Sequence, residues 1–205
     1  ALGKGSNPFY GVAINEVLRI KFPQIRTATQ ADLEKIIREN LLELKGNYED
    51  TGLTLRTRQD PNSYLAINLF EQFKAQGKTL KENSAYVLWL RNLSLKKEPN
   101  SPHKISFVIP SNFLDYFEAP ILNEPSQQNF DSSDIDLATG IPKRVSASGT
   151  RTLYTRNLKS YSIKNSGVVR LYLGRAMLLL FDDKDLADSS GIGRVVLVSA
   201  VATAP

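Results

Sequence analysis

The 205-residue chain has no cysteine, so disulfides, thiolate metal sites and a cysteine nucleophile are all excluded. It has one histidine, His103, so no histidine pair can hold a metal and no HExxH motif exists. No run of residues reaches the roughly 18 apolar positions that a membrane span requires. The first ten residues also lack the apolar core of a signal peptide. The expectation is therefore a soluble protein with no membrane partner, located in the cytoplasm or in a virion. Phosphate loops are missing as well: Gly191, Ile192 and Gly193 lack both the third glycine of a dinucleotide fingerprint and the lysine of a P-loop. No segment resembles a known family.

The longest absence is of one sign of charge. Residues 111–140 contain no lysine or arginine and carry six acids, Asp115, Glu118, Glu124, Asp131, Asp134 and Asp136. Residues 141–175 contain no acid and carry eight bases, Lys143, Arg144, Arg151, Arg156, Lys159, Lys164, Arg170 and Arg175. Four aspartates then return at Asp182, Asp183, Asp185 and Asp188. The first 110 residues mix 16 bases with 11 acids, as an ordinary solvated surface does. The net charge of +5 favours anionic partners through long-range attraction.

A hydrophobic share of 41% and a charged share of 23% match folded globular chains. A single domain over 1–205 is expected. The alternative divides the chain into an α-rich 1–98 and a β-rich 103–205, because Pro99, Asn100, Ser101 and Pro102 break the pattern between them.

Asn7 and Pro8 suit a helix start, with the asparagine as N-cap and the proline in the first turn, and Pro23 closes a helix near 8–22. Ala13, Val17 and Ile20, beside Ile14 and Leu18, form its apolar face. Thr29 followed by Asp32 reads as a capping box opening a helix near 30–45, with Leu33, Ile36, Ile37, Leu41 and Leu44 as the stripe and Gly46 as the stop. Glu34 and Arg38 support that helix at i, i+4. A third helix near 64–76 turns Leu65, Leu69 and Phe73, with Ala66 and Phe70, toward a core and stops at Gly77.

Strand character appears at 52–58, at 85–95 around Trp89, and at 104–109, with one helical turn expected at 112–117. Residues 119–144 show little periodicity and read as a long loop. Strands then follow at 150–155, 159–163, 168–173, 176–181 and 194–201. The fold class is α+β, with a helix-rich N-terminal half and a mostly antiparallel β C-terminal half.

Searching for chemistry returns fragments. His103 sits in a turn-rich linker and reads as a surface residue. Asp182, Asp183 and Asp185 are weak candidates for a hard cation, without the glycine and closing glutamate of an EF-hand loop. An acid, spacer, lysine pattern of the nuclease type occurs at Glu43, Leu44 and Lys45 with Asp32, and loosely at Asp182, Asp183 and Lys184. Ser94 and Lys97 have dyad spacing with nothing else of that motif set. No cofactor and no metal are expected.

Three functional readings follow. The leading one is a non-enzymatic structural subunit of a larger assembly, such as a virion or phage tail. In it the acids of residues 111–140 meet the bases of residues 141–175 on other copies or other subunits. The alternative is nucleic-acid binding by the basic block, whose Tyr154, Tyr161 and Tyr172 could stack on bases. A metal-dependent nuclease is third. Against all three stands the pairing of these charges within one fold, where exposed pairs contribute roughly 0–1 kcal/mol each.

Overall fold

The computed structural model describes residues 6–56, 64–81, 84–122, 126–155, 167–174, 177–182, 186–187, 189 and 192–199. Three α-helices and twelve strands lie among them. The elements of the first half are α1 (Pro8–Lys21), β1 (Ile25–Thr27), α2 (Gln30–Arg38), β2 (Tyr48–Arg56), α3 (Tyr64–Ala75), β3 (Ala85–Trp89), β4 (Ser94–Lys97) and β5 (Ile105–Val108). The second half adds β6 (Tyr116–Glu118), β7 (Ser126–Phe130), β8 (Arg151–Thr155), β9 (Val168–Leu173), β10 (Leu179–Asp182), β11 (Gly193–Arg194) and β12 (Leu197–Ser199). The class is α+β. The first half holds all three described α-helices, but also five strands.

One sheet organises the chain in the order β6-β3-β2-β9-β10-β8-β7, with β11 attached to β2. Its pairings are antiparallel except β8 with β10 and β11 with β2. β3 meets β2 from Gly52 onward, and β11 takes the positions Tyr48 and Glu49 that β3 does not reach. Two short ladders, β1 with β12 and β4 with β5, lie outside this sheet.

Alternation along β3 sorts the core into two layers, as the period of two requires. Tyr86 and Leu88 join Leu53, Leu55, Val168 and the α1 and α3 residues Val12, Leu65, Leu69 and Phe73 on one face. Ala85, Val87 and Trp89 join Leu153, Val169, Leu171 and Leu179 on the other. Phe107 belongs to the first layer together with Leu53 and Val168, so residues from both sides of the proline-rich break at 99–102 share one core. The break itself is a hairpin turn: the Glu98 amide donates to the Lys104 carbonyl at 2.9 Å, between paired β4 and β5.

α3 buries Leu65, Ala66, Leu69 and Phe73, the face its spacing specifies. α2 opens on the expected capping box, with the Thr29 amide donating to Asp32 Oδ2 at 2.7 Å and the Asp32 amide to Thr29 Oγ1 at 3.4 Å. Burial works to raise the Asp32 carboxyl, but hydrogen bonds from Arg26 and Thr29 outweigh it and hold the group below its ordinary value. The helix stops at Arg38 rather than near 45, because Asn40 takes a left-handed φ of 53° that asparagine tolerates. Leu41 and Leu42 are consequently exposed, while Leu44 folds back under Leu33 and Leu173.

Two expected features of residues 111–144 are replaced. Residues 112–117 form no helical turn; Tyr116–Glu118 instead make an edge strand on β3. The expected loop over 119–144 contains a 3-10 turn at Pro120–Leu122, the strand β7, a second 3-10 turn at Ser132–Asp134 and an Ile135–Pro142 bridge. Apolar residues spaced without helical or strand period fill the second core layer: Leu122 and Phe130 are fully buried, with Ile135 and Ile141 beside them. At the tip of this segment Gly140, φ 71°, lies so close to α2 that a Cβ would sit 2.5 Å from Gln30 C and Ala31 N.

The strands expected at 150–155 and 168–173 are β8 and β9. Those expected at 176–181 and 194–201 are present but shorter, as β10 and as β11 with β12, whereas 159–163 lies outside the described residues.

Thr29→Ala removes the cap that starts α2 and should lower stability by about 1 kcal/mol. Urea denaturation checks this as a shifted midpoint at unchanged m-value, and an unchanged midpoint would mean that Arg26 and Asp32 alone hold the helix start.

Candidate assembly interface

The described members of the basic block, Lys143, Arg144, Arg151 and Arg170, do not share one exposed surface. Arg170 on β9 lies at the centre of the sheet, where its Nε and Nη2 donate to Asp50 Oδ1 and Oδ2, both at 2.8 Å. The two side chains are 3% and 1% exposed, so nothing outside the chain reaches this guanidinium. Ser6 Oγ donates to Asp50 at 2.7 Å, and the rings of Tyr48 and Tyr172 stand 5.7 and 5.3 Å from the guanidinium carbon. Burial works against the charge, but hydrogen bonds and attraction from Asp50 and Tyr48 raise the Arg170 pKa further above its ordinary value.

Arg151 on β8 is similarly enclosed. Its Nη1 and Nη2 donate to Glu34 Oε2 and Oε1 at 2.6 and 2.8 Å, its Nε donates to the Met177 carbonyl, and Phe130 lies beneath it at 4.9 Å. Gln30 Nε2 donates to Glu34 at 2.8 Å, and Thr51 Oγ1 links Gln30 to the Leu171 carbonyl. Glu34 therefore does not support α2 through Arg38 as its spacing suggested. It is buried and holds α2 against β8, 117 residues away.

Of the eight bases, Lys143 and Arg144 are the described ones that are exposed rather than buried or partly buried. Arg144 bonds Asp134 at 2.5 Å, an in-chain link between the two charge blocks. Hydrogen bonds from Arg144 and the Asp131 amide hold the Asp134 carboxyl below its ordinary value. Lys143 lies on the rim of a cleft of about 280 Å³ with Phe117, Ile121, Asp136, Ile141 and Pro142. Arg156, Lys159, Lys164 and Arg175 lie outside the described residues.

The described acids of residues 111–140 are also engaged within the chain. Asp115 accepts from Arg91 Nε at 2.8 Å, and Asn92 also donates to it. Glu118 accepts from Lys81 at 2.6 Å and Ser84 at 2.7 Å. Asp131 accepts from the Thr150 amide at 3.0 Å, linking the end of β7 to the start of β8, and Asp136 accepts from the Ala138 amide at 3.0 Å within a turn. Glu124 lies outside the described residues.

Among the described residues the catalytic fragments do not assemble. Among the described residues no three acidic or histidine side chains gather as a cation site. Of the weak metal candidates, Asp182 ends β10 opposite Arg170 in the ladder, and Asp183 and Asp185 lie outside the described residues. Glu43 and Lys45 belong to an exposed turn in which Glu43 accepts the Lys45 amide at 2.8 Å, not to a helix shared with Asp32. Ser94 and Lys97 sit three apart on β4 and point to opposite faces, and Ser94 Oγ accepts from Arg19 at 3.1 Å. The His103 ring packs 5.2 Å from that of Phe9.

One perturbed acid stands apart. Glu49, at the β2–β11 junction, is 4% exposed, and its Oε1 has no hydrogen-bond partner. Burial and the neighbouring Asp50 push its pKa up to about 8, against the pull of the Val196 amide and Arg194.

The sequence did single out the feature that faces outward, but its orientation was not legible. α1 begins as expected, with the Tyr10 amide donating to Asn7 Oδ1 at 2.8 Å. The helix then packs Phe9, Gly11, Val12, Asn15 and Leu18 against the body. Asn15 fixes that orientation by donating to Thr27 Oγ1 at 2.7 Å and accepting the Thr27 amide at 3.0 Å. Gly11 permits close approach, since a Cβ there would lie 2.8 Å from Leu90 Cδ1. The second apolar face therefore meets solvent at Val17 and Ile20, with Tyr10 continuing it and half-buried Ala13 between them. Val17 is 53% and Ile20 83% exposed. Glu16 and Arg19, the charges that would ordinarily mark the outer face, lie on the flanks and bond the Leu95 amide and Ser94.

Arg170→Met leaves Asp50 charged, buried and unpaired, and should cost about 3–5 kcal/mol in urea denaturation. Adding Asp50→Leu should recover much of that loss, and a double variant as unstable as the single one would contradict the pairing. Glu49 binds its proton more tightly folded than unfolded. Its contribution is complete below the ordinary glutamate value of 4.5 and is lost as pH rises to about 8. Stability should fall by up to about 1.4 kcal/mol per pH unit across that window, and Glu49→Gln should remove the slope. A constant offset between the two proteins from pH 5 to pH 8, by denaturation at each pH, would refute it.

Comparison of the chain with protein-family models, with curated proteins and with solved structures returned no match.

Proposed function

We propose that the protein is a non-enzymatic structural subunit of a larger protein assembly, of the kind that builds virions or phage tails, and that the outward face of α1 is its contact surface. One observation carries this reading: α1 is apolar on two sides, and the fold covers only one of them. A helix of that composition is normally enclosed, and a contiguous exposed apolar strip is characteristic of surfaces that meet another protein.

Magnitudes favour the helix over the charge blocks. Fully covering a side chain the size of Val17 or Ile20 stabilises by about 1.5–3 kcal/mol. An exposed ion pair of the kind Arg144 could offer contributes roughly 0–1 kcal/mol, and Arg144 already has an in-chain partner. The nucleic-acid reading is weaker for a related reason: Arg151 and Arg170 are committed to buried carboxylates, which leaves Lys143 and Arg144 as its exposed described bases, the second already paired with Asp134.

Hydroxyl-radical footprinting tests the proposal on two samples, protein isolated under mild conditions from its natural source and dilute recombinant chain. Tyr10, Val17 and Ile20 should be protected several-fold in the first and labelled in the second. Equal labelling in both would overturn it.

A further inference from the structure

The outward face of α1 has a register that its surroundings do not explain. Tyr10, Ala13, Val17 and Ile20 are spaced three, four and three apart, the a and d positions of two heptads. Ile14 and Lys21 then fall at e, and Glu16 at g. Of the residues that hold the helix to the body, Gly11, Val12, Asn15 and Leu18 occupy b, c and f, and Phe9, at the start of the helix, occupies g. The body therefore covers the side of the helix a coiled coil leaves wet, and leaves open the seam that a coiled coil makes dry.

The flanking charges identify the occupant. In a parallel pair, the g residue of one helix meets the e residue five positions on in the other. Here that places Glu16 of each copy beside Lys21 of the other, two opposite-charge contacts related by the two-fold axis. In an antiparallel pair the g positions meet each other, which sets Glu16 against Glu16. Lys21 is exposed and makes no ion pair among the described residues. Glu16 uses Oε1 on the Leu95 amide at 3.2 Å, which leaves Oε2 for the lysine. Ala13 at a d position lets the two backbones approach, and Val17 at a and Ile20 at d supply the apolar contact.

We infer that α1 packs in parallel against α1 of a second copy of this chain, with Tyr10, Ala13, Val17 and Ile20 as the seam and Glu16 and Lys21 as the register pair. This rests on the proposed assembly role and names its partner. The contact is isologous and closes as a dimer. A seam of two heptads is smaller than the roughly 1,600 Å² of a standard stable interface, so the pair is a weak one that forms at high local concentration.

Sedimentation velocity on the full chain, from about 10 μM to about 1 mM, should show a monomer converting to a dimer, as expected of a small interface. Ile20→Glu should abolish the dimer while leaving the circular dichroism spectrum unchanged. Glu16→Lys and Lys21→Glu should each weaken dimerisation on the order of tenfold, since two symmetric contacts turn from attraction to repulsion. The Glu16→Lys, Lys21→Glu double variant should restore it. A chain that stays monomeric throughout overturns the inference, as does a dimer indifferent to Ile20→Glu, or a double variant no better than the singles. A monomer whose α1 face is nevertheless protected in the footprinting of native material assigns the face to a different protein, which removes the self-pairing and leaves the assembly role standing.

Discussion

A guanidinium held dry at the middle of the sheet sets the terms for the rest of the fold. Arg170 and Asp50 sit on neighbouring central strands with almost no solvent contact, and each is tolerable there only because the other is present. The two tyrosines above and beside them and the Ser6 hydroxyl complete the shell, so the segment before α1 is fastened to the same point. A second pair, Arg151 with Glu34, holds α2 against the far half of the sheet in the same way. Arg151 and Arg170 therefore act inward, as long-range fasteners between distant parts of the chain, and two of the bases conspicuous in the sequence add nothing to its surface charge.

Local signals were legible where one residue type has one physical use. The Asn7 and Thr29 caps, the α3 stripe and strands β8 and β9 follow from capping chemistry and period alone. Residues 119–144 were opaque because their buried positions, Leu122, Phe130, Ile135 and Ile141, are separated by turns and follow neither period. The length of α2 depended on Asn40, whose left-handed conformation is an option that sequence permits without requiring.

The candidate surface was half legible. Spacing identified Ala13, Val17 and Ile20 as a face, and only the tertiary structure shows that Asn15 and Gly11, unremarkable in sequence, win the contest for the body. A polar residue that satisfies two groups of β1 outweighs the more hydrophobic alternative, because the amide and hydroxyl of Thr27 would otherwise be buried without partners. The burial of Arg151 and Arg170 was not legible for the opposite reason: net sign along a chain carries no information about which partner each side chain meets in space.

The span of the central pairing also shapes how the chain reaches this state. Strands β2, β3 and β6 come from residues 48–118 and can pair early, but β9 joins β2 only after another fifty residues, and Asp50 waits for a partner 120 positions away. Until β9 arrives, β2 is an open edge lined by Leu53 and Leu55, next to an aspartate with no counter-charge. Such an edge pairs readily with any other strand. Among the described ion pairs, the one most fully withdrawn from solvent thus depends on a strand, residues 168–173, that is made long after its partner.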